Sequence, residues 1–507
     1  MLQAGKQAER QTSPMQNLVL IVLDTLRRDR LSAYGHARET SPAFDAFAAR
    51  GVQYTRAVAP AQWTIPAHAS LFTGLLPSEH GVTQANSRLS AAVPTLAEQL
   101  HAGGYHTVAF CNNALVSVVN HGLQRGFEHF YTYASAVPHR PGDLRKPWLR
   151  REFSRRFRPT ARRIGNWFAQ SETLFRLSLN PLFVPVWTRY INFKGHTANS
   201  MDDFIAWWDA WQAGGAEQPV FAFLNLMGAH TPYQPPQDAI DHVAPGLKRD
   251  RAAYEFVRRF NADAAAWASP TEPPLTDWQR QALLDFYDAE IFAQDQQLGR
   301  ALAHLEKTGA LANTTVIILA DHGESHGDHD LFGHGFDVHH ELTHVPMAIR
   351  GERFPAGARD EVLLSTRWLH GTLLDLAGLA PQGAPSLAQG GLRPGGPVMT
   401  EAFAPLTFVH VLEHRNPSVI ERRQLRETRR AVLDGRFKLM LRGDQPTALY
   451  DVLADPAETR SVLRSQPEAA AQLQRAAGLL ATGAGQGETA EQDAEVLEHL
   501  RALGYVD

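Results

Sequence analysis

Asn17-Leu18-Val19-Leu20-Ile21-Val22-Leu23-Asp24 is an unbroken apolar run that ends in an acid. A run without polar alternation reads as a strand buried on both faces, the mark of a central parallel strand. Far downstream, Thr314-Thr315-Val316-Ile317-Ile318-Leu319-Ala320-Asp321-His322-Gly323-Glu324 repeats the pattern, with Asp321 and His322 at its end. In open α/β sheets ligands collect at the carboxyl ends of the strands. The two runs therefore predict an α/β fold that presents Asp24, Asp321 and His322 along one sheet edge.

Between them lies Ala61-Gln62-Trp63-Thr64-Ile65-Pro66-Ala67-His68-Ala69-Ser70-Leu71-Phe72-Thr73-Gly74. A proline two residues after Thr64, then small and apolar residues up to Gly74, predict a loop passing into a helix with Thr64 near its N-terminus. That end carries partial positive charge and unpaired N–H groups. A hydroxyl held there by a divalent cation can become a nucleophile at neutral pH. Read alone, Thr64 is more readily an N-cap threonine before an ordinary helix. With Asp24, Asp321 and His322 it completes a mixed oxygen and nitrogen set suited to one divalent metal ion.

The chain of 507 residues is long enough for one large α/β core with a smaller appended domain. Its single cysteine, Cys111, excludes an internal disulfide framework and reads as a buried small apolar residue. No stretch of about 18 apolar residues occurs, and the first 16 residues are polar, so neither a membrane span nor a secretory signal is visible. The expectation is a soluble, cytoplasmic protein. A net charge of −4 does not point to nucleic acid. Histidine is more telling: the chain has 23, concentrated between His322 and His344, and local His/Asp clusters mark metal or acid–base sites.

Asp24, the loop from Thr64-Ile65-Pro66-Ala67-His68 to Thr73-Gly74, Gly228-Ala229-His230-Thr231-Pro232-Tyr233, Asp321-His322-Gly323-Glu324 and Gly333-His334-Gly335 together resemble the sulfatase family of the alkaline phosphatase superfamily. The likeness runs from about residue 17 to Leu503-Gly504-Tyr505. It implies a large mixed, mostly parallel sheet sandwiched by helices over residues 17–390, preceded by a polar tail, 1–16. A smaller antiparallel C-terminal subdomain follows over 391–480, and a flexible segment with a terminal helix over 481–507.

The departures from the family pattern carry the chemistry. Thr64 stands where sulfatases carry the Cys or Ser that becomes formylglycine, and His68 stands where they usually carry Arg. Thr-x-Pro-x-His instead resembles the loop of the nucleotide pyrophosphatase/phosphodiesterase branch, in which an unmodified Thr attacks phosphorus. The Asp321-His322 pair, where Ca-dependent sulfatases tend to place Asp-Asn, resembles the phosphatase, phosphodiesterase and phosphonate hydrolase branches. Thr25 in place of a second acid shifts the expected ion from Ca²⁺ toward Zn²⁺ or Mn²⁺, with Ca²⁺ as the alternative. Asn112 and Ala114 occupy the places of the family's sulfate-gripping Lys and His.

The resemblance implies Thr64 as nucleophile, with His230, His334 and His68 as further catalytic candidates. Asn86, Asn112 and Asn113 are the candidate substrate contacts, although a turn-forming Asn would look the same as Asn86. Without the lysine clamp, the expected substrate is a small-molecule, lipid or saccharide ester of low charge: a phosphate diester or a phosphonate monoester. The alternatives are a sulfuric ester hydrolase using unmodified Thr64 and a catalytically silent metal-binding module. Residues 135–215 form an insertion crowded with arginines from Arg140 to Arg163 and interleaved with Trp148, Phe153, Phe157, Trp167 and Phe168. It reads as a lid or homo-oligomer surface, or, through residues 140–168, as a contact with a membrane or an anionic polymer.

Overall fold

The computed structural model describes residues 16–134, 138–141, 194–215, 217–263, 266–267 and 270–481. The expectations for the N-terminal tail, most of the 135–215 insertion including its 140–168 contact surface, and the 481–507 segment lie almost wholly outside the described residues.

The main sheet is built from β1 (Asn17–Leu23), β2 (Val52–Val58), β3 (His106–Cys111), β4 (His129–Thr132), β5 (Val220–Leu226) and β6 (Thr314–Leu319). A hairpin of β7 (Ser325–His326) and β8 (Phe332–Gly333) follows, and then β9 (His344–Arg350), β10 (Ala358–Asp360) and β11 (Leu364–Ser365) complete the sheet. Its order is β10-β2-β9-β6-β1-β5-β3-β4, with β11 also paired to β2. Strands β6, β1, β5, β3 and β4 run parallel, whereas β9 is antiparallel to both its neighbours. The expected mixed, mostly parallel sheet is thus observed.

Strand β1 sits between β5 and β6, and Leu18 to Val22 are at most 1% exposed, as an apolar run with no polar face requires. Burying each such side chain contributes roughly 1.5–3 kcal/mol, so the ends that carry Asp24 and Asp321 rest on a fully packed part of the core. The helix Asp277–Lys307 opens on Thr276, which caps the backbone N–H of Gln279, and buries Leu283, Tyr287, Ile291 and Leu298 against the sheet.

A second, four-stranded antiparallel sheet comprises β12 (Val398–Ala402), β13 (Arg429–Leu433), β14 (Phe437–Arg442) and β15 (Gln445–Asp451), in that order. The helix Pro467–Leu480 lays Ala470, Leu473 and Ala477 on Val432, Leu439 and Leu449 of this sheet. Lys438 and Glu458, both within 1% of complete burial, pair there at 2.7 Å.

Candidate active site

Helix α1 (Thr64–Thr73) begins where the sequence places it, after an extended Trp63, and ends on Gly74 in the left-handed region. Thr64 is its first residue and is 2% exposed. Its Oγ1 lies 3.3 Å from His322 Nε2. That nitrogen is in turn 3.4 Å from Asp321 Oδ2 and 3.9 Å from Asp24 Oδ1. Four side chains from three distant segments converge on one point.

Each acid has one oxygen satisfied and one left over. Asp24 Oδ2 accepts from Asn113 Nδ2 at 2.7 Å and Asn225 Nδ2 at 3.3 Å. Asp321 Oδ1 accepts from the backbone N–H of His322 at 2.9 Å and of Thr25 at 3.3 Å. Asp24 Oδ1 and Asp321 Oδ2 are buried with no hydrogen-bond partner, an arrangement that costs free energy unless a cation fills it. Burial pushes both carboxyls up to about 7.

His322 Nδ1 donates to the Gly323 carbonyl at 2.9 Å, which leaves the Nε2 lone pair facing the carboxylates. Burial holds this imidazole down at about 4. Only glycine fits at 323, because a Cβ there would stand 1.9 Å from the Glu341 carbonyl oxygen. Tetrahedral coordination with bonds of about 2.0–2.1 Å separates donor atoms by about 3.3–3.4 Å. The observed 3.3 and 3.4 Å contacts match that spacing, and 3.9 Å leaves slack at Asp24. The residues therefore fit a divalent ion.

Beyond this set stand two more histidines. His334 Nδ1 lies 2.8 Å from Glu324 Oε1, and its ring is 4.5 Å from that of His322. The His230 ring is 5.4 Å from His334, and its Nδ1 donates to the Thr231 carbonyl at 2.6 Å, turning Nε2 away from that bond. Burial, then the neighbouring His334, with Lys194 and His322 adding, hold His230 well below the usual histidine range.

Residues 16–379 match the family model for sulfatases. The chain belongs to the sulfatase family. It is 22% identical over 363 residues to the uncharacterized sulfatase YidJ of Escherichia coli K12, a match that covers 68% of this chain and 64% of that protein. To an arylsulfatase of Clostridium perfringens it is 24% identical over 386 residues, covering 71% and 74% of the two chains. Among solved structures, the phosphonate monoester hydrolase of Agrobacterium radiobacter superposes with a TM-score of 0.64 at 24% identity, covering 92% of this chain and 95% of that one. The fold is that of the sulfatase family, and Asp24, Thr64, Asp321 and His322 meet at its sheet edge.

Within this sulfatase-family chain, two of the expected substrate contacts, Asn113 and Asn86, stand elsewhere. Asn113 does not face substrate: its Nδ2 is on Asp24, and its Oδ1 accepts the Leu115 N–H at a helix start. His68 lies against the ligand set: its Nδ1 donates to the Thr64 carbonyl at 2.9 Å and is 3.4 Å from Asp321 Oδ2, while Nε2 accepts from Asn225 Nδ2 at 3.2 Å. Asn86 is exposed in the Gln84–Ser87 turn, the turn-forming alternative. Asn112, by contrast, is fully buried with its amide unpartnered.

Other participants had no role assigned from sequence. Asn225 was signalled only as the single polar residue of an apolar strand. Thr25 adopts φ +58°, a strained conformation for a β-branched residue, and is held by the Tyr287 hydroxyl, which donates to its carbonyl at 2.6 Å. Glu324 and Lys194 complete the group. A further cluster of His329, His339 and Glu458 also brings ligand atoms together. There the two rings stack at 3.5 Å and 8°, so no point lies in both ring planes, and the pair serves the Glu458 ion-pair network better than one shared ion.

Proposed function

We propose that the protein hydrolyses phosphate esters, a diester or a phosphonate monoester first among them, through Thr64 as nucleophile. The observation that carries this reading is the pair of unpartnered oxygens, Asp24 Oδ1 and Asp321 Oδ2, set beside Thr64 Oγ1 and His322 Nε2. Asp24, Asp321, His322 and Thr64 would hold one divalent ion. Zinc or manganese suits an imidazole with two carboxylates better than calcium, which takes about six to eight oxygens. When bound, the ion supplies charge neutralisation and lowers the pKa of a hydroxyl.

Thr64 Oγ1 attacks phosphorus in line, its proton passes to His230 Nε2, and the bond from phosphorus to the leaving oxygen breaks. The departing oxygen takes a proton from His334, which Glu324 backs at 2.8 Å. Water then hydrolyses the phospho-Thr64 ester, giving its proton to the His334–Glu324 pair, while His230 returns a proton to Thr64. His68 and Asn225 hold the start of α1 and Asp24 in register. The names of the sequence relatives favour a second reading, sulfuric ester hydrolysis on the same unmodified threonine.

Thr64→Ala should abolish turnover while metal content stays at one ion per chain. A phospho-Thr64 adduct trapped by acid quench would support the nucleophile, and retained turnover would refute it. Side-by-side rates with aryl phosphate diesters, phosphonate monoesters, phosphate monoesters and sulfates rank the substrates, and a dominant sulfate rate would put sulfuric esters ahead of phosphate esters.

A further inference from the structure

Asn112 follows β3 fully buried, and neither its amide oxygen nor its amide nitrogen has a partner. Buried polar groups are paired as a rule, so an amide kept unpaired calls for a ligand. The backbone of Gly195 lies directly on this side chain: its φ is +61°, and a Cβ there would stand 3.1 Å from Asn112 Cγ and 3.0 Å from Tyr133 Cβ. Glycine is required by both the angle and the approach. The residue before it is Lys194.

The Lys194 ammonium donates to the Pro232 carbonyl and to Glu290 Oε1, each at 3.0 Å. An ammonium has three donors, and these bonds use two. Glu290 Oε1 also accepts the Gln234 N–H at 2.6 Å, so the Lys194–Glu290 pair brackets the loop that follows His230. The charge of Lys194 reaches His230, where it helps keep the imidazole neutral. Asn112, His230 and Asp24 all follow the carboxyl ends of adjacent parallel strands, β3, β5 and β1.

We propose that Asn112 and Lys194 form an oxyanion subsite beside the Asp24–Thr64–Asp321–His322 set. Asn112 Nδ2 and the third N–H of Lys194 receive a non-bridging oxygen of a tetrahedral phosphoryl, phosphonyl or sulfuryl group. A half-buried ammonium, its side chain 17% exposed, gives that oxygen a charge-assisted bond, and the cation comes from residue 194 rather than from the strand end. That the bound group is the one transferred rests on the hydrolase reading above; the anion site itself does not.

The test is binding, not turnover. Titration calorimetry with inorganic phosphate, and separately with inorganic sulfate, is run on the metal-loaded full chain and its variants. Lys194→Met and Asn112→Leu should each weaken phosphate binding by about 10- to 100-fold, the range for a lost bond to a charged group. Lys194→Arg should restore most of it. Weakening of both anions supports a general oxyanion site. A loss confined to phosphate assigns a phosphoryl substrate, and one confined to sulfate a sulfuric ester. Binding of both anions within about twofold of the parent in Lys194→Met and Asn112→Leu alike would overturn the proposal. Should Lys194→Met loosen the 230–234 loop and lower the melting temperature, Asn112→Leu, which leaves the Lys194–Glu290 pair intact, decides alone. Turnover retained by Thr64→Ala would remove the nucleophile and leave these binding results standing.

Discussion

Replacing Asn113 by leucine should weaken metal binding without touching a ligand. Asp24 offers Oδ1 to the ion because Oδ2 is occupied by two amide donors, Asn113 at 2.7 Å and Asn225 at 3.3 Å. Removing the shorter bond frees the carboxylate to rotate and strands part of its charge. A hydrogen bond to a charged group is worth about 1.5–3 kcal/mol. Loss of an outer-shell partner typically costs about 10–100-fold in metal affinity, which is about 1.4–2.8 kcal/mol, so the two magnitudes agree. The assay is competition for Zn²⁺ between the metal-free protein and a chromophoric chelator. Asn113 also caps a short helix through Leu115 at 2.8 Å, a separate loss of about 0.5–2 kcal/mol that metal-free melting will report. Asn225→Leu should cost less affinity, in keeping with its longer bond. A zinc affinity within about twofold of the parent for a folded Asn113→Leu protein would refute the idea that these amides aim Asp24.

Asp321→Asn should reverse its effect with metal. In the metal-free protein at pH 8 it removes one of two buried charges and should raise the melting temperature, whereas in saturating Zn²⁺ it should lower it. Because both carboxyls are raised to about 7 from 3.8, the metal-free parent should lose stability as pH rises between those values, and the variant less; identical profiles would refute the pairing. Glu458→Gln leaves Lys438 buried without its counter-charge and should destabilise the small sheet by about 3–5 kcal/mol, while Lys438→Met with Glu458→Leu should recover most of that. Burial raises the Glu458 carboxyl, but Lys438, His340 and His339 more than reverse this and hold it well below 4.5. Its contribution is therefore complete above 4.5 and lost as pH falls through the depressed value; acid melts of parent and Glu458→Gln that coincide would refute it.

The sheet and its ligand edge were legible because burial on both faces leaves a continuous apolar signature, and a charged residue ending such a run has few other reasons to be there. That β1 lies inside a parallel sheet follows from that signature, whereas its neighbours β5 and β6 are set by the tertiary fold. What pattern could not resolve was direction. Asn112 and Asn113 are adjacent, and neighbouring side chains at a strand end point to different sides, so composition could not say which meets Asp24. His68 matched a catalytic motif, yet the helical turn of α1 folds its Nδ1 back onto the Thr64 carbonyl, 3.4 Å from Asp321 Oδ2. Lys194 was hidden by its company: in a segment rich in arginine and aromatics, one more cation reads as solvated surface, and only the tertiary fold buries it against Glu290.

That burial bears on why the substrate class was hard to read. Two carboxylates and one divalent ion sum to neutrality, so the ligand set alone offers an incoming anion little net attraction. Among the described residues, one cation placed to supply it is Lys194, whose charge is balanced by Glu290 at 3.0 Å and so acts mainly over short range. A site of this kind rewards an anionic oxygen placed beside Asn112 more than it rewards total negative charge. Lys194 therefore weakens the expectation that an absent lysine at position 112 by itself means a substrate of low charge, and makes the position of one oxygen the discriminating quantity among diester, phosphonate and sulfate.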